Sequence, residues 1–170
     1  MKRKIIIVIT GMIMIIAITG CPYESSVSLS DSCTSASDSG LTGRWIFPST
    51  GGNSDTIDIV KFNEHEYYIE IRSKGISGNN KISKGRGFVT LVKNQKFINY
   101  SELNDPGKFV FFKYEISDNL LKTYSPSDKF IQQTFSSGKE LMAFFEKNLD
   151  KNGFFEPADT AFRVGASKKD

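Results

Sequence analysis

After an apolar leader, two periods divide the chain. Residues 5–18 run apolar, broken only by Thr10 and Gly11. From Ile57 onward the dominant period is two. Ile57 and Ile59 alternate with Asp58, Val60 and Phe62 flank Lys61, and Tyr67, Ile69 and Ile71 alternate with Tyr68, Glu70 and Arg72. Successive side chains of a strand point to opposite faces, so this alternation predicts half-buried strands. The polar insert Asn63-Glu64-His65-Glu66 between the two runs predicts an antiparallel hairpin. Further strand-like runs follow at 87–92, 96–101, 108–116 and 120–124, separated by short polar inserts such as Lys93-Asn94-Gln95 and Ser117-Asp118-Asn119. Short β-branched and aromatic runs at even spacing predict a mainly β fold, an antiparallel meander forming a small barrel or half-barrel. Phe109-Val110-Phe111-Phe112 is apolar on both faces, which predicts a central strand or one covered by a helix.

Toward the end the period changes. Ser125-Pro126-Ser127-Asp128 carries a serine cap, a proline at the first helical position and an acid in the first turn, predicting a short helix over 126–134. Ser137 with Glu140 has capping-box spacing. Leu141, Phe144, Phe145 and Leu149 then recur at helical spacing up to Asn152-Gly153, a helix C-cap signal. One or two short C-terminal helices are therefore expected to pack on the sheet or plug one barrel mouth. A last strand over 160–164 is expected to carry Phe162 inward.

The leader has Lys2, Arg3 and Lys4 ahead of its apolar run, the pattern of an export signal over residues 1–20. It is too short for a comfortable transmembrane span, which needs about 20 apolar residues. Ile18-Thr19-Gly20-Cys21 resembles the lipobox of bacterial lipoproteins. The resemblance implies cleavage after Gly20, a diacylglyceryl thioether on Cys21 and acylation, typically by palmitate, of the new amino group. The expected partner is thus the lipid bilayer, through acylated Cys21, in the cell envelope. Pro22 stands where an aspartate would retain such a lipoprotein at the inner membrane, so the outer membrane is expected if the organism is Gram-negative. Residues 21–40, rich in Ser, Thr and Asp, are expected to form a lipidated flexible tether. Residues 41–165 are expected to form one β domain, followed by a frayed tail at 166–170.

Leu41-Thr42-Gly43-Arg44-Trp45 at the first strand is similar to the Gly-x-Trp signature of lipocalin-like proteins. In that superfamily the glycine allows a close turn and the tryptophan seals the closed end of a small antiparallel barrel. Tether, Leu-x-Gly-x-Trp, meander and C-terminal helix together resemble uncharacterised lipocalin-like bacterial lipoproteins. That resemblance implies a barrel able to hold an apolar or amphipathic small molecule. The aromatic candidates for such a site are Trp45, Tyr67, Phe88, Phe109 and Phe111, each of which can equally be plain core. The alternative is a barrel filled by side chains that acts through its surface on an envelope protein, and the 14 phenylalanines favour a filled one.

Charge and cysteine arithmetic narrow the partners. Of the 22 Lys and Arg, three lie in the leader; the remaining 19 match the 19 Asp and Glu. The near-neutral mature chain lacks the concentrated basic surface that nucleic acid requires. One local cluster, Lys74, Lys81, Lys84 and Arg86, reads as a solvated hairpin tip, with anionic head groups as the other option. Lipid on Cys21 leaves Cys33 as an odd thiol, free or bridging to another molecule. Two cysteines in these roles and one histidine cannot build a zinc site, and no metal or cofactor is expected.

No enzyme is expected and no catalytic residue is assigned. A serine or cysteine hydrolase needs a base beside its nucleophile, and His65, the single histidine, lies in a polar turn between two glutamates, where it is expected to be a solvated tip. No Gly-x-Ser-x-Gly elbow or Walker loop is present, and Gly85-Arg86-Gly87 does not extend into a dinucleotide fingerprint. Asp150-Lys151-Asn152-Gly153 has its glycine at the fourth rather than the sixth loop position, against an EF-hand.

Overall fold

The expected alternation closes on itself. Residues 22–35, 37–48, 54–74 and 79–165 are described by the structure, a computed structural model. The leader, Cys21 and residues 166–170 lie outside them. The elements are β1 (Glu24–Ser25), β2 (Gly43–Pro48), β3 (Ser54–Lys61), β4 (Glu66–Lys74), β5 (Asn80–Val92), β6 (Gln95–Glu102), β7 (Phe109–Ser117), β8 (Leu120–Tyr124), α1 (Gly138–Asn148) and β9 (Asp159–Arg163). Strands β2 to β9 follow one another as antiparallel neighbours, and β9 returns to β2, closing an eight-stranded barrel. The architecture is a lipocalin-like barrel with one short helix.

Local chemistry fixes the register. Lys93 and Asn94 both take positive φ, 45° and 65°, giving the tight β5–β6 hairpin whose turn twist matches that of its strands. Helix α1 starts as its capping box predicts: the Ser137 hydroxyl accepts from the Glu140 N–H at 3.3 Å. The Glu140 carboxylate returns to the backbone and hydroxyl of Ser136, one residue earlier than the motif would have it.

Two cores result. Odd residues of β7 point outward and even ones inward. The outer core lies between β5–β7 and the helix, where Phe145 stands 5.6 Å from both Phe97 and Phe111. Phe154 and Leu141 are fully buried beside them. The inner core fills one end of the barrel around Trp45, Tyr67 and Tyr114.

Three expectations are corrected. Residues 22–35 and 37–40, expected as a flexible tether, are instead a strap bonded across the barrel. Tyr23 and Leu29 enter the outer core, and β1 extends the edge of β7 beside Phe109 and Val110. The serines that suggested floppiness act as hydrogen-bonding groups: Ser35 Oγ donates to the Val89 carbonyl and accepts from its N–H. Asn99, wholly buried, accepts the Leu29 N–H at 2.9 Å. The helix expected at 126–134 is also missing. The Ser127 N–H donates to the Phe154 carbonyl and the Ser125 carbonyl accepts from Glu156, so this backbone pairs across the chain instead of winding. Finally, Phe162 faces solvent. Ala161 pairs with Leu121 and takes the inward phase of β9, which also brings Arg163 inward at the barrel end.

Candidate functional site

The barrel interior holds a cavity lined mainly by apolar side chains. Isoleucines from two adjacent strands make its main wall: Ile57 faces Ile71 and Ile59 faces Ile69 across the β3–β4 ladder. Such β-branched cross-strand pairs pack well on a pleated surface. Ile98, Phe112 and Leu121 continue the wall, enclosing a cavity of about 520 Å³. That volume falls within the roughly 300–1,000 Å³ of small-molecule sites.

One end is sealed. Trp45 is fully buried and its Nε1–H donates to the Leu41 carbonyl at 2.8 Å. The Arg163 guanidinium lies 4.2 Å from the tryptophan ring centroid and donates to the carbonyls of Thr42 and Gly40. The same clasp requires the glycine at position 43: its φ is +129°, and a Cβ there would come within 3.1 Å of the Arg163 guanidinium. Asp38 completes the seal. Its carboxylate accepts from Lys96 at 2.8 Å, Tyr114 at 2.9 Å and the Gly40 N–H at 2.9 Å. Burial pushes this carboxyl up, but those donors outweigh it and hold it below the usual carboxylate range. Tyr114 moves far above an ordinary phenol, through burial first and the Asp38 charge second.

The opposite end is polar. Phe47, Thr123, Asp55 and Asp159 border the cavity there. Just behind them, the Tyr100 hydroxyl meets Ser83 Oγ at 2.9 Å, and Ser83 donates to Glu102 at 2.6 Å. Burial raises the Tyr100 phenol.

The five aromatic candidates separate. Trp45 and Tyr67 are in the inner core, spent on the seal; the Tyr67 hydroxyl donates to the Asp38 carbonyl at 3.0 Å. Phe109 and Phe111 point outward and belong to the outer core. Phe88 is on the outer side too, with its ring 6.4 Å from that of Phe109. The structure therefore does not bring the five together. The wall is mainly aliphatic, with Phe112 the phenylalanine that continues it, and the sequence held a signal for these residues. Asp58, Lys113 and Glu115 fix which positions of β3 and β7 face water, and so which face inward.

Of the remaining candidates, His65, Lys84 and Arg86 have structural partners. His65 Nδ1 lies 2.8 Å from the Ser35 carbonyl, tying the β3–β4 turn to the strap. Lys84 pairs with Glu70, and Arg86 pairs with Glu66 while stacking 3.5 Å from the Phe62 centroid. Cys33 is exposed. Among the described residues no group of three potential metal ligands occurs, and no helix is long and apolar enough to cross a membrane. No known family model, curated protein or solved structure matches this chain.

Proposed function

We propose that this protein is a lipid-anchored binding module of the bacterial envelope, non-enzymatic, whose barrel accommodates an apolar or amphipathic small molecule. The observation that carries the reading is the isoleucine-walled cavity of about 520 Å³, sealed at one end and polar at the other. An empty apolar volume of this size is costly to maintain in a domain that gains stability by filling its core. Native mass spectrometry of protein isolated from its host tests the reading. A co-purifying small molecule, displaced when Ile69→Trp fills the cavity, supports it; a clean apo mass with no uptake of any offered amphiphile refutes it.

Anchoring rests on Ile18-Thr19-Gly20-Cys21 and is tested by fatty-acid labelling, which Cys21→Ala should abolish. The packed strap changes what the anchor would do. Pro22 is bridged to Ser127, so acylated Cys21 would hold the barrel one residue from the bilayer instead of at the end of a stalk. Pro22 supports the outer membrane if the host is Gram-negative.

A second reading, contact with an envelope protein, is favoured by one observation. Phe162 and Leu120, directly paired on β9 and β8, are both exposed, with Val164 exposed just beyond. Loss of a crosslinked partner on Phe162→Ser would support it.

A further inference from the structure

Strand phase determines the charge at the open end of the cavity. Positions in phase with the inward-facing isoleucines there are Asp55 on β3 and Asp159 on β9, and these are the two charged residues lining the cavity. Both strands pair with β2: Asp55 stands opposite Phe47, and β9, in register at Arg163 with Trp45 and at Phe162 with Ile46, carries Asp159 farther along, so the two carboxylates stand on the strands flanking β2 at the same end. Glu102 is in phase with Tyr100 on β6 and adds a third carboxylate at the same end. Several carboxylates elsewhere on the barrel hold a cation: Asp58, Glu66, Glu70 and Asp105 each pair with a lysine or arginine. Asp55 and Asp159 hold none among the described residues. Lysines near this end lie outside the cavity lining: Lys108 is taken by Asp105, Lys81 pairs with Ser73 one step farther out than Ser83, and Lys74 on β4 and Lys122 on β8 are exposed in the outward phase of their strands.

We infer that the cavity selects amphiphiles with an aliphatic tail and a cationic, ammonium-type head. The inference rests on the binding reading above and adds the charge of the ligand to it. The isoleucine wall supplies apolar surface with no hydrogen-bonding demand, which suits a hydrocarbon chain. An ammonium at the rim would sit between two carboxylates that lack a counter-charge. A cleft lined by one sign of charge with low-dielectric walls focuses that field. A fatty-acid carboxylate of the same length would meet the same field as repulsion.

Octylammonium, octanoate and octanol share one tail and differ in head charge. They are titrated calorimetrically at pH 7 into the full chain in lipid nanodiscs, with empty nanodiscs as the blank. Octylammonium should bind at least about tenfold tighter than octanoate, with octanol between, because each rim ion pair contributes up to about fivefold. Asp55→Asn with Asp159→Asn should bring the three within about threefold of one another while octanol affinity stays unchanged. The preference should also shrink as salt rises. Equal binding of all three, or a preference for octanoate, overturns the charge inference and leaves the cavity reading standing. No binding of any of the three overturns both.

Discussion

Replacing Arg163 by alanine removes the clasp that closes the barrel. The guanidinium makes two charged hydrogen bonds, to Thr42 and Gly40, and covers the Trp45 face at 4.2 Å. Hydrogen bonds to a charged group contribute about 1.5–3 kcal/mol each. A cation over an aromatic face adds about 0.5–2 kcal/mol. Arg163 is half-buried, so the lower ends apply, and the sum is about 3.5 kcal/mol. Trp45, the single tryptophan, reports directly: urea unfolding followed by its fluorescence should show a lower midpoint with an unchanged slope. Arg163→Lys keeps the charge but not the two-pronged fork, and should recover less than half of the loss. Arg44→Ala, which removes an exposed ion pair to Asp58 on the neighbouring strand, should change stability little. If Arg163→Ala costs less than about 1 kcal/mol, or no more than Arg44→Ala, the clasp is decorative and the reasoning fails.

Three further outcomes follow from the same contacts. Phe145→Ala should cost about 3–5 kcal/mol in thermal or urea unfolding, since its ring fills the space between Phe97, Phe111 and Phe154. Asn99→Ala leaves the Leu29 N–H unmet and should cost about 1–3 kcal/mol, with faster hydrogen exchange confined to residues 22–35; unchanged exchange there refutes the strap. Asp38 has a folded pKa below its ordinary 3.8, so its stabilisation is present above that value and is lost as pH falls below it. Urea midpoints of wild type and Asp38→Asn should therefore lie apart at pH 6 and converge below about pH 4, whereas a constant gap would contradict the assignment.

How much of this was legible in the chain depends on which force fixes each element. The hairpin of β3 and β4 was readable because Asp58, Glu70 and Arg72 alternate with isoleucines, and water enforces that alternation. The helix was readable because Ser137 and Glu140 act within one turn. The strap was not, because its placement depends on contacts distant in sequence: Asn99 and Val89 supply the partners that Leu29 and Ser35 need. Nor was the failure of 126–134 to wind, since Pro126 and Ser127 answer to Phe155 and Phe154. For the site, the inward phase of Ile57, Ile59, Ile69 and Ile71 was written in their polar neighbours, but aromatic residues drew attention first. Phe109 and Phe111 lie on a strand apolar on both faces, where composition alone does not say which face is the lumen.

The same point explains how an aromatic-rich chain can keep its barrel partly empty. Large aromatic rings fill a core most effectively, and here nine of the 14 phenylalanines belong to the outer core, packed with Tyr23 between the helix, the strap and the sheet. Phe47 and Phe112 are the phenylalanines of the inner core. The expectation that many phenylalanines mean a filled barrel therefore fails on location. Rings packed on the outer face contribute dispersion and apolar burial without occupying the lumen. With stability drawn from that side, and the far end closed by Trp45, Arg163 and Asp38, the isoleucine wall need not collapse onto itself to hold the sheet together. Fold stability is thus carried by the outer face of β5, β6 and β7, and interior volume by a wall that is mainly β3 and β4, so a ligand bound as proposed would enter without disturbing the packing that the outer face provides.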